Sequence, residues 1–309
     1  MTKPVRVPWR DWVTGARVRT LPLAFVPIIL GSSSAVWRGD FDAVLAALAL
    51  MVALALQIGV NFANDYSDGI RGTDDYRVGP TRLVASGMVN PAQVLRAALV
   101  SFGVALISGL ALLVLARWEV LSDDGFTGWL GEVWVALALG AVTVIAAWFY
   151  TGGSQPYGYS GWGEVVVFLF FGLVATGGTA WAMIGSLPAD AMISGAGAGF
   201  FASAVLLINN IRDIDQDRSA GKVTLSVKLG LRRSRILFVI LVGLPYVMVG
   251  ILSLGFLWVP VTYLTALVTL WVLIQVFLAR KPQDLITALS ALGLNAVAYA
   301  LFLGVSLAW

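Results

Sequence analysis

The sequence predicts an all-α integral membrane protein of nine transmembrane helices, and three observations predict it. Apolar residues make up 59% of the 309-residue chain and Lys, Arg, Asp and Glu only 12%, about half the charged share of a soluble domain. A water-soluble protein of this size could not hide so much apolar surface. The apolar residues fall into runs of roughly 20, the length that crosses a bilayer as a helix. The basic residues are divided very unevenly among the segments between those runs.

The nine runs cover about 19–37, 43–66, 91–116, 130–150, 163–185, 190–210, 234–254, 257–279 and 285–308. Residues 1–309 form one polytopic membrane domain, built as two four-helix halves (19–150 and 163–279) plus a ninth helix. Many of the 33 glycines lie inside the runs, among them Gly172, Gly177, Gly178, Gly195, Gly197 and Gly199. Small residues let membrane helices approach closely, so helix packing is their expected use.

With the N-terminus inside, the inner segments hold Lys3, Arg6, Arg10, Arg17, Arg19, Arg71, Arg77, Arg82, Arg96, Arg212, Arg218, Lys222, Lys228, Arg232, Arg233, Arg235, Arg280 and Lys281. These are 18 of the 20 basic residues; only Arg38 and Arg117 fall outside. The outer segments are acidic, with Asp40, Asp42, Glu119, Asp123, Asp124 and Asp190. The expected placement is multi-pass in the inner (cytoplasmic) membrane, with the C-terminus outside. The five basic residues ahead of the first run are spread over too long a stretch for a cleavable signal peptide.

The chain has no Cys and no His. Thiolate nucleophiles, disulfides, imidazole bases and zinc or haem sites built on these residues are therefore excluded. A metal here must be held by oxygen, as Mg²⁺, Mn²⁺ or Ca²⁺ are.

Carboxylates gather in two places: Asn61-Phe-Ala-Asn64-Asp65-Tyr66-Ser67-Asp68, followed by Gly72-Thr73-Asp74-Asp75, and Asn209-Asn210-Ile-Arg212-Asp213-Ile-Asp215-Gln-Asp217. The first closes the second run and the second closes the sixth. Four spans separate them, so both open on the same side and can line one cavity. On a helix, Asn61 and Asp65, Asn64 and Asp68, Asp65 and Asp68, and Asp213 and Asp217 each share a face, whereas Asp215 points elsewhere. Carboxylates so close repel unless a cation lies between them, and oxygen ligands on facing helices suit Mg²⁺ shared with phosphate oxygens. Arg77 and Arg82 follow the first cluster, and Arg212, Arg218 and Lys222 surround the second. Such bases fit an anionic, phosphate-bearing ligand.

The Asn64-Asp65-x-x-Asp68 and Asp213-x-x-x-Asp217 clusters resemble the two aspartate-rich motifs of the UbiA superfamily of intramembrane prenyltransferases. The likeness covers nearly the whole chain. Within that superfamily, Arg19-Thr-Leu-Pro, the Asn61–Asp68 segment, Arg77-Val-Gly-Pro-Thr-Arg82 and Tyr150-Thr-Gly-Gly-Ser-Gln-Pro-Tyr-Gly-Tyr are similar to the menaquinone branch, the 1,4-dihydroxy-2-naphthoate polyprenyltransferases.

The resemblance implies a nine-helix enzyme, its helices around a central cytoplasm-facing cavity, using Mg²⁺ to bridge aspartates and a polyprenyl diphosphate. It would prenylate 1,4-dihydroxy-2-naphthoate with loss of CO₂, giving demethylmenaquinone and diphosphate. It assigns catalytic roles to Asp65, Asp68, Asp213 and Asp217. Metal contact falls to these four with Asn64 and Asp74, diphosphate contact to Arg77, Arg82, Arg212 and Lys222, and substrate contact to Asn61, Tyr150 and Asn210. Two departures stand out. Gly72 occupies the place of a third motif aspartate, with Asp74 the substitute, and the Tyr150–Tyr159 loop lacks the basic residue found in other branches. An apolar groove including Phe168, Phe170 and Phe171 is expected to take the polyprenyl tail beside membrane lipid. No nucleic acid partner is expected. Two alternatives remain open: a branch prenylating hydroxybenzoate, homogentisate or haem, or a cation-coupled transporter with intramembrane carboxylates.

Overall fold

The computed structural model describes residues 8–73 and 82–309. Among the described residues there is no strand, and nine helices are long and apolar enough to cross a membrane. They are α1 (Leu21–Arg38), α2 (Ala43–Ile70), α3 (Pro91–Ala116), α4 (Gly125–Phe149), α5 (Gly163–Ile184), α6 (Ala189–Arg212), α7 (Leu225–Leu252), α8 (Val259–Leu278) and α9 (Asp284–Ala308). The chain is a multi-pass membrane protein. A helix is the open-chain way to cross hydrocarbon because it satisfies its own backbone polar groups.

The helix limits follow local chemistry. Asp42 caps α2 by accepting from the amides of Val44 and Leu45 at 2.7 and 2.9 Å. Asn90 caps α3 through the Ala92 amide at 2.9 Å, with Pro91 in the first turn. These side chains take up amides that a helix start leaves without intrahelical acceptors. Two limits differ from the apolar runs. Helix α2 continues past residue 66 to Ile70, so that Asp65 and Asp68 are helical. The start of α7 lies at Leu225 rather than 234, ahead of Arg232, Arg233 and Arg235, and is broken at Gly230 (φ 73°, ψ 168°). Only glycine adopts that backbone without strain.

Alternating direction puts the segments 8–20, 71–73, 82–90, 150–162, 213–224 and 279–283 at one end of the bundle, here called the polar end. At the opposite end the two exceptional arginines are paired within the fold. Arg38, in the last turn of α1, lies 2.7 Å from Asp190, in the first turn of α6, and Ser34 Oγ donates to the same carboxylate at 2.6 Å. Arg117 donates to the Trp181 carbonyl at 3.1 Å, stacks over the Trp181 ring at 4.3 Å and lies 3.3 Å from Glu132. Neither is an unneutralised positive charge.

The larger apolar core joins α1, α6, α7, α8 and α9 around Phe201, Phe238 and Tyr299; a smaller one joins α2, α3 and the 82–89 segment around Phe62 and Phe102. Helices α5 and α6 touch at the backbone: a Cβ on Gly172 would lie 2.6 Å from the Gly199 Cα, and one on Gly199 would lie 2.7 Å from the Phe168 carbonyl oxygen. Gly178, by contrast, has nothing within 4 Å of a Cβ, so packing does not require glycine there. Residues Phe168–Val174 of α5 form a π-helical stretch.

The topology is directly testable because the chain has no native Cys. Asp123→Cys and Ser219→Cys, both at exposed positions, should react with a membrane-impermeant thiol reagent from opposite sides of sealed vesicles. Reaction of both from one side would break the alternation of spans between them.

Candidate active site

Asp68 ends its helix in a crowded polar shell. It is 1% exposed, accepts a 2.5 Å hydrogen bond from the Tyr159 hydroxyl, and lies 3.9 Å from Lys222 Nζ. Lys222 also joins the two acidic clusters: its amide donates to the Asp217 carbonyl at 2.8 Å while its ammonium reaches Asp68. Both are buried, which strengthens their attraction but also the desolvation that opposes it.

The Tyr150–Tyr159 loop has no basic residue, and three others come to it from elsewhere. Lys222 lies 5.0 Å from the Tyr159 ring centre, the Arg71 guanidinium lies 5.5 Å from the same ring, and Lys228 donates to the Ser160 carbonyl at 2.7 Å. Arg71 also donates to the carbonyls of Thr151 and Gly153, fastening the loop to the end of α2. Burial, and then the Asp68 charge, push the Tyr159 hydroxyl above the usual tyrosine range, so it remains the donor in that pair.

Below this shell a cavity of about 230 Å³ opens between α1, α2, α4, α5 and α6. Asn61, Asn64, Asp68, Tyr150, Asn210, Lys222 and Arg17 line it, with Phe170 and Phe171 on its apolar wall. Phe168 instead packs on Phe200, ring centres 4.6 Å apart. Asn64 Oδ1 accepts from Thr151 Oγ1 at 2.6 Å, and Asn61 Nδ2 donates to the Ala16 carbonyl at 2.9 Å. Burial first, and the Glu164 charge next, raise the Tyr150 phenol, which stays protonated.

The expected residues are only partly brought together. Asn61, Asn64, Asp68, Tyr150, Asn210 and Lys222 share the cavity. Asp65 turns to the 82–84 segment, accepting from the Leu83 and Val84 amides at 2.9 and 3.0 Å. The shared helical face inferred for Asp65 and Asp68 is thus divided, because a returning loop claims one of them. Asp213 and Asp217 are both buried, and Asp213 accepts two 2.7 Å hydrogen bonds from Arg212. They do not share one continuous helix, since α6 stops at Arg212 and a short helix, Ile214–Ser219, follows. The Asp215 side chain is fully exposed, 3.8 Å from Arg218. Arg82 lies beside the Asp65-bound amides, half-buried; Asp74, Asp75 and Arg77 lie outside the described residues.

Sequence reasoning passed over Arg17, Tyr159 and Glu164. Arg17 lines the cavity with a positive φ of 55°, rare for a side-chain-bearing residue and a mark of functional sites. Nothing in the basic N-terminal stretch sets it apart. Glu164 did carry a signal, as a carboxylate inside an apolar run.

Among the described residues, no three acidic side chains stand close enough to hold one ion. The donors available are carboxylate and amide oxygens, with Lys222 and Arg212 already against Asp68 and Asp213. That set fits Mg²⁺ entering with a diphosphate, since Mg²⁺ needs only one or two carboxylates when phosphate oxygens and water complete its shell.

A helical membrane bundle with an acid-and-base shell over a half-apolar cavity is the architecture of an intramembrane enzyme acting on a lipid-borne anion. The chain belongs to the UbiA prenyltransferase family, whose profile matches residues 24–303. It is 41% identical over 299 residues to a Mycobacterium tuberculosis protein named 1,4-dihydroxy-2-naphthoate octaprenyltransferase, covering 97% of each chain. An Escherichia coli protein of the same name is 40% identical over 220 residues, covering 71% of this chain and 68% of that one. Among solved structures, a UbiA homologue from Archaeoglobus fulgidus bound to DMAPP and Mg²⁺ superimposes with a TM-score of 0.61 at 16% identity, covering 96% of this chain and 99% of that one.

Tyr159→Phe removes the hydroxyl from Asp68 and leaves the ring under Lys222 and Arg71. The expected loss is about 1–3 kcal/mol of stability, the cost of stranding a buried acceptor, measured as a lowered thermal midpoint in detergent. An unchanged midpoint would mean that Asp68 does not depend on this hydrogen bond.

Proposed function

We propose that the protein transfers a polyprenyl group from polyprenyl diphosphate to 1,4-dihydroxy-2-naphthoate, with decarboxylation, giving the hydroquinone form of demethylmenaquinone and diphosphate in an Mg²⁺-dependent reaction. The observation that carries this is the 41% identity over 97% of the chain to a protein named for that reaction. The polar shell supports it, because Lys222 draws both acidic clusters to the mouth of one cavity.

In this proposal the polar end faces the cytoplasm of the inner membrane and the C-terminus lies outside. Asp68, Asp213 and Asp217, with Asn64, would hold the metal; Asp74 completes the expected set. Bound Mg²⁺ would supply charge neutralisation for the departing diphosphate. Lys222 and Arg212 offer donors to diphosphate oxygens, and Arg77 and Arg82 are assigned the same task. Asp65 would act through the 82–84 segment by holding Arg82 in place. The fixed cations stabilise the charge that grows on the leaving group. The apolar wall of Phe170 and Phe171 keeps water from the allylic cation. The cavity is small beside a polyprenyl chain, so the tail would leave it sideways into lipid. Asn61, Tyr150 and Asn210 line the acceptor side.

Detergent-solubilised protein given Mg²⁺, a polyprenyl diphosphate and a panel of aromatic acceptors should consume dihydroxynaphthoate and release CO₂ and diphosphate. Hydroxybenzoate prenylated with its carboxylate retained would move the protein to another branch. Absence of turnover, with cation flux in sealed vesicles, would favour a transporter.

Asp68→Asn and Asp213→Asn should each lower the rate on the order of 10²-fold or more, as loss of transition-state charge stabilisation does. Asp215→Asn, at a fully exposed side chain, should change it little. EDTA should abolish activity and Mg²⁺ restore it. Equal damage from Asp215→Asn would show the wrong carboxylates to have been chosen.

A further inference from the structure

Glu164 is a buried carboxylate to which the function proposed above gives no role. It is 5% exposed, at the start of α5 beside the cavity. Its Oε1 accepts from Asn210 Nδ2 at 2.8 Å, and its backbone carbonyl accepts from Ser203 Oγ at 2.7 Å. Its second oxygen, Oε2, is buried without a hydrogen-bond partner. A half-satisfied buried carboxylate is costly, and packing alone would be better served by an apolar residue.

Helices α5 and α6 meet at the backbone through Gly172 and Gly199, and Glu164 is tied to α6 by both Ser203 and Asn210. Glu164 therefore holds the Asn210 amide at a set angle. In this pair the amide nitrogen of Asn210 is the donor and faces Glu164 Oε1. That leaves the carbonyl oxygen, Oδ1, as the end offered to the cavity that Asn210 lines. Asn61, on the same cavity, is constrained alike: its Nδ2 donates to the Ala16 main-chain carbonyl, which can only accept. Two asparagines, 7% and 9% exposed, thus present hydrogen-bond acceptors to one space.

We infer that Glu164 is a positioning residue which turns Asn210 so that its carbonyl, with that of Asn61, forms a subsite for the hydroxyl groups of a hydroquinone-type aromatic acceptor. This rests on the function proposed above and adds how the acceptor is recognised. A dihydroxy-aromatic has O–H donors for both oxygens, and its oxidised quinone has none. In the transfer, the ring carbon that bears the carboxylate bonds to the allylic carbon as the allylic C–O bond breaks, and the diphosphate leaves with that electron pair. Positive charge then spreads to the ring hydroxyls until CO₂ departs and returns its bonding pair to the ring. A hydroxyl made more acidic bonds more strongly to an amide carbonyl, so the subsite favours the transition state over the bound substrate.

The test compares kcat/KM for 1,4-dihydroxy-2-naphthoate and its 4-methoxy analogue, which lacks one donor, at saturating polyprenyl diphosphate and Mg²⁺. The unaltered protein should prefer the dihydroxy acceptor by about 10-fold, the discrimination of one lost hydrogen bond. In E164Q the new amide can donate to Asn210 and let it turn over, so the preference should fall toward 1 while KM for polyprenyl diphosphate stays within about 2-fold. Asn210→Asp alone sets two carboxylates face to face and should be worse. The double variant E164Q/N210D exchanges donor and acceptor, keeps an oxygen toward the cavity and should regain the preference. An undiminished preference in E164Q, equal losses for both acceptors, or no recovery in the double variant would overturn the inference. If the unaltered protein prenylates neither acceptor, the proposed function fails first and the inference with it.

Discussion

The polar end depends on the contact of Asp68 with Tyr159 and Lys222. A carboxylate 1% exposed at the end of a membrane helix is tolerable only when donors and a counter-charge surround it. The phenol comes from the loop after α4 and the ammonium from the segment after α6. One side chain therefore ties together three parts of the chain far apart in sequence. The Arg71 hydrogen bonds to the same loop and the Lys222 amide bond to Asp217 extend this network. Lys222 and Tyr159 thus hold Asp68 from two sides.

The opposite end is built on the same constraint with a different outcome. Arg38 and Arg117 are the two basic residues there, and each is consumed by the fold, through Asp190 and Ser34 in one case and Glu132 and Trp181 in the other. Both basic residues of that end are thus paired within the fold. Between the ends, α5 and α6 meet backbone to backbone at Gly172 and Gly199 beside the cavity wall. The π-helical stretch Phe168–Val174 beside that contact directs Phe170 and Phe171 to the cavity, while Phe168 packs on Phe200.

Much of the fold was legible in the sequence, because a bilayer makes hydropathy and charge nearly sufficient. Among the described residues the nine runs appear as nine helices, with most limits within a few residues. The exceptions are polar helix ends: Asp65 and Asp68 extend α2, and Arg232, Arg233 and Arg235 hide the start of α7. The burial of Asp213 and Asp217 against the exposure of Asp215 matches a three-and-four spacing, although the helix breaks at Asp213. Asp65 marks the limit of such spacing: it shares a helical face with Asp68, yet the Leu83 and Val84 amides claim it.

The sequence by itself determined the number of spans, the end where charge collects and the oxygen-only chemistry of the site. Each follows from residue type counted along the chain. Tertiary structure decided which carboxylate faces the cavity, which bases reach the base-free loop, and which way the amides of Asn61 and Asn210 point. Those outcomes depend on partners dozens of residues away: Lys222 for Asp68, Ala16 for Asn61, Glu164 for Asn210. Hydropathy is a property of a segment, whereas a hydrogen bond's direction belongs to a pair. The pairing exists only once the helices have packed.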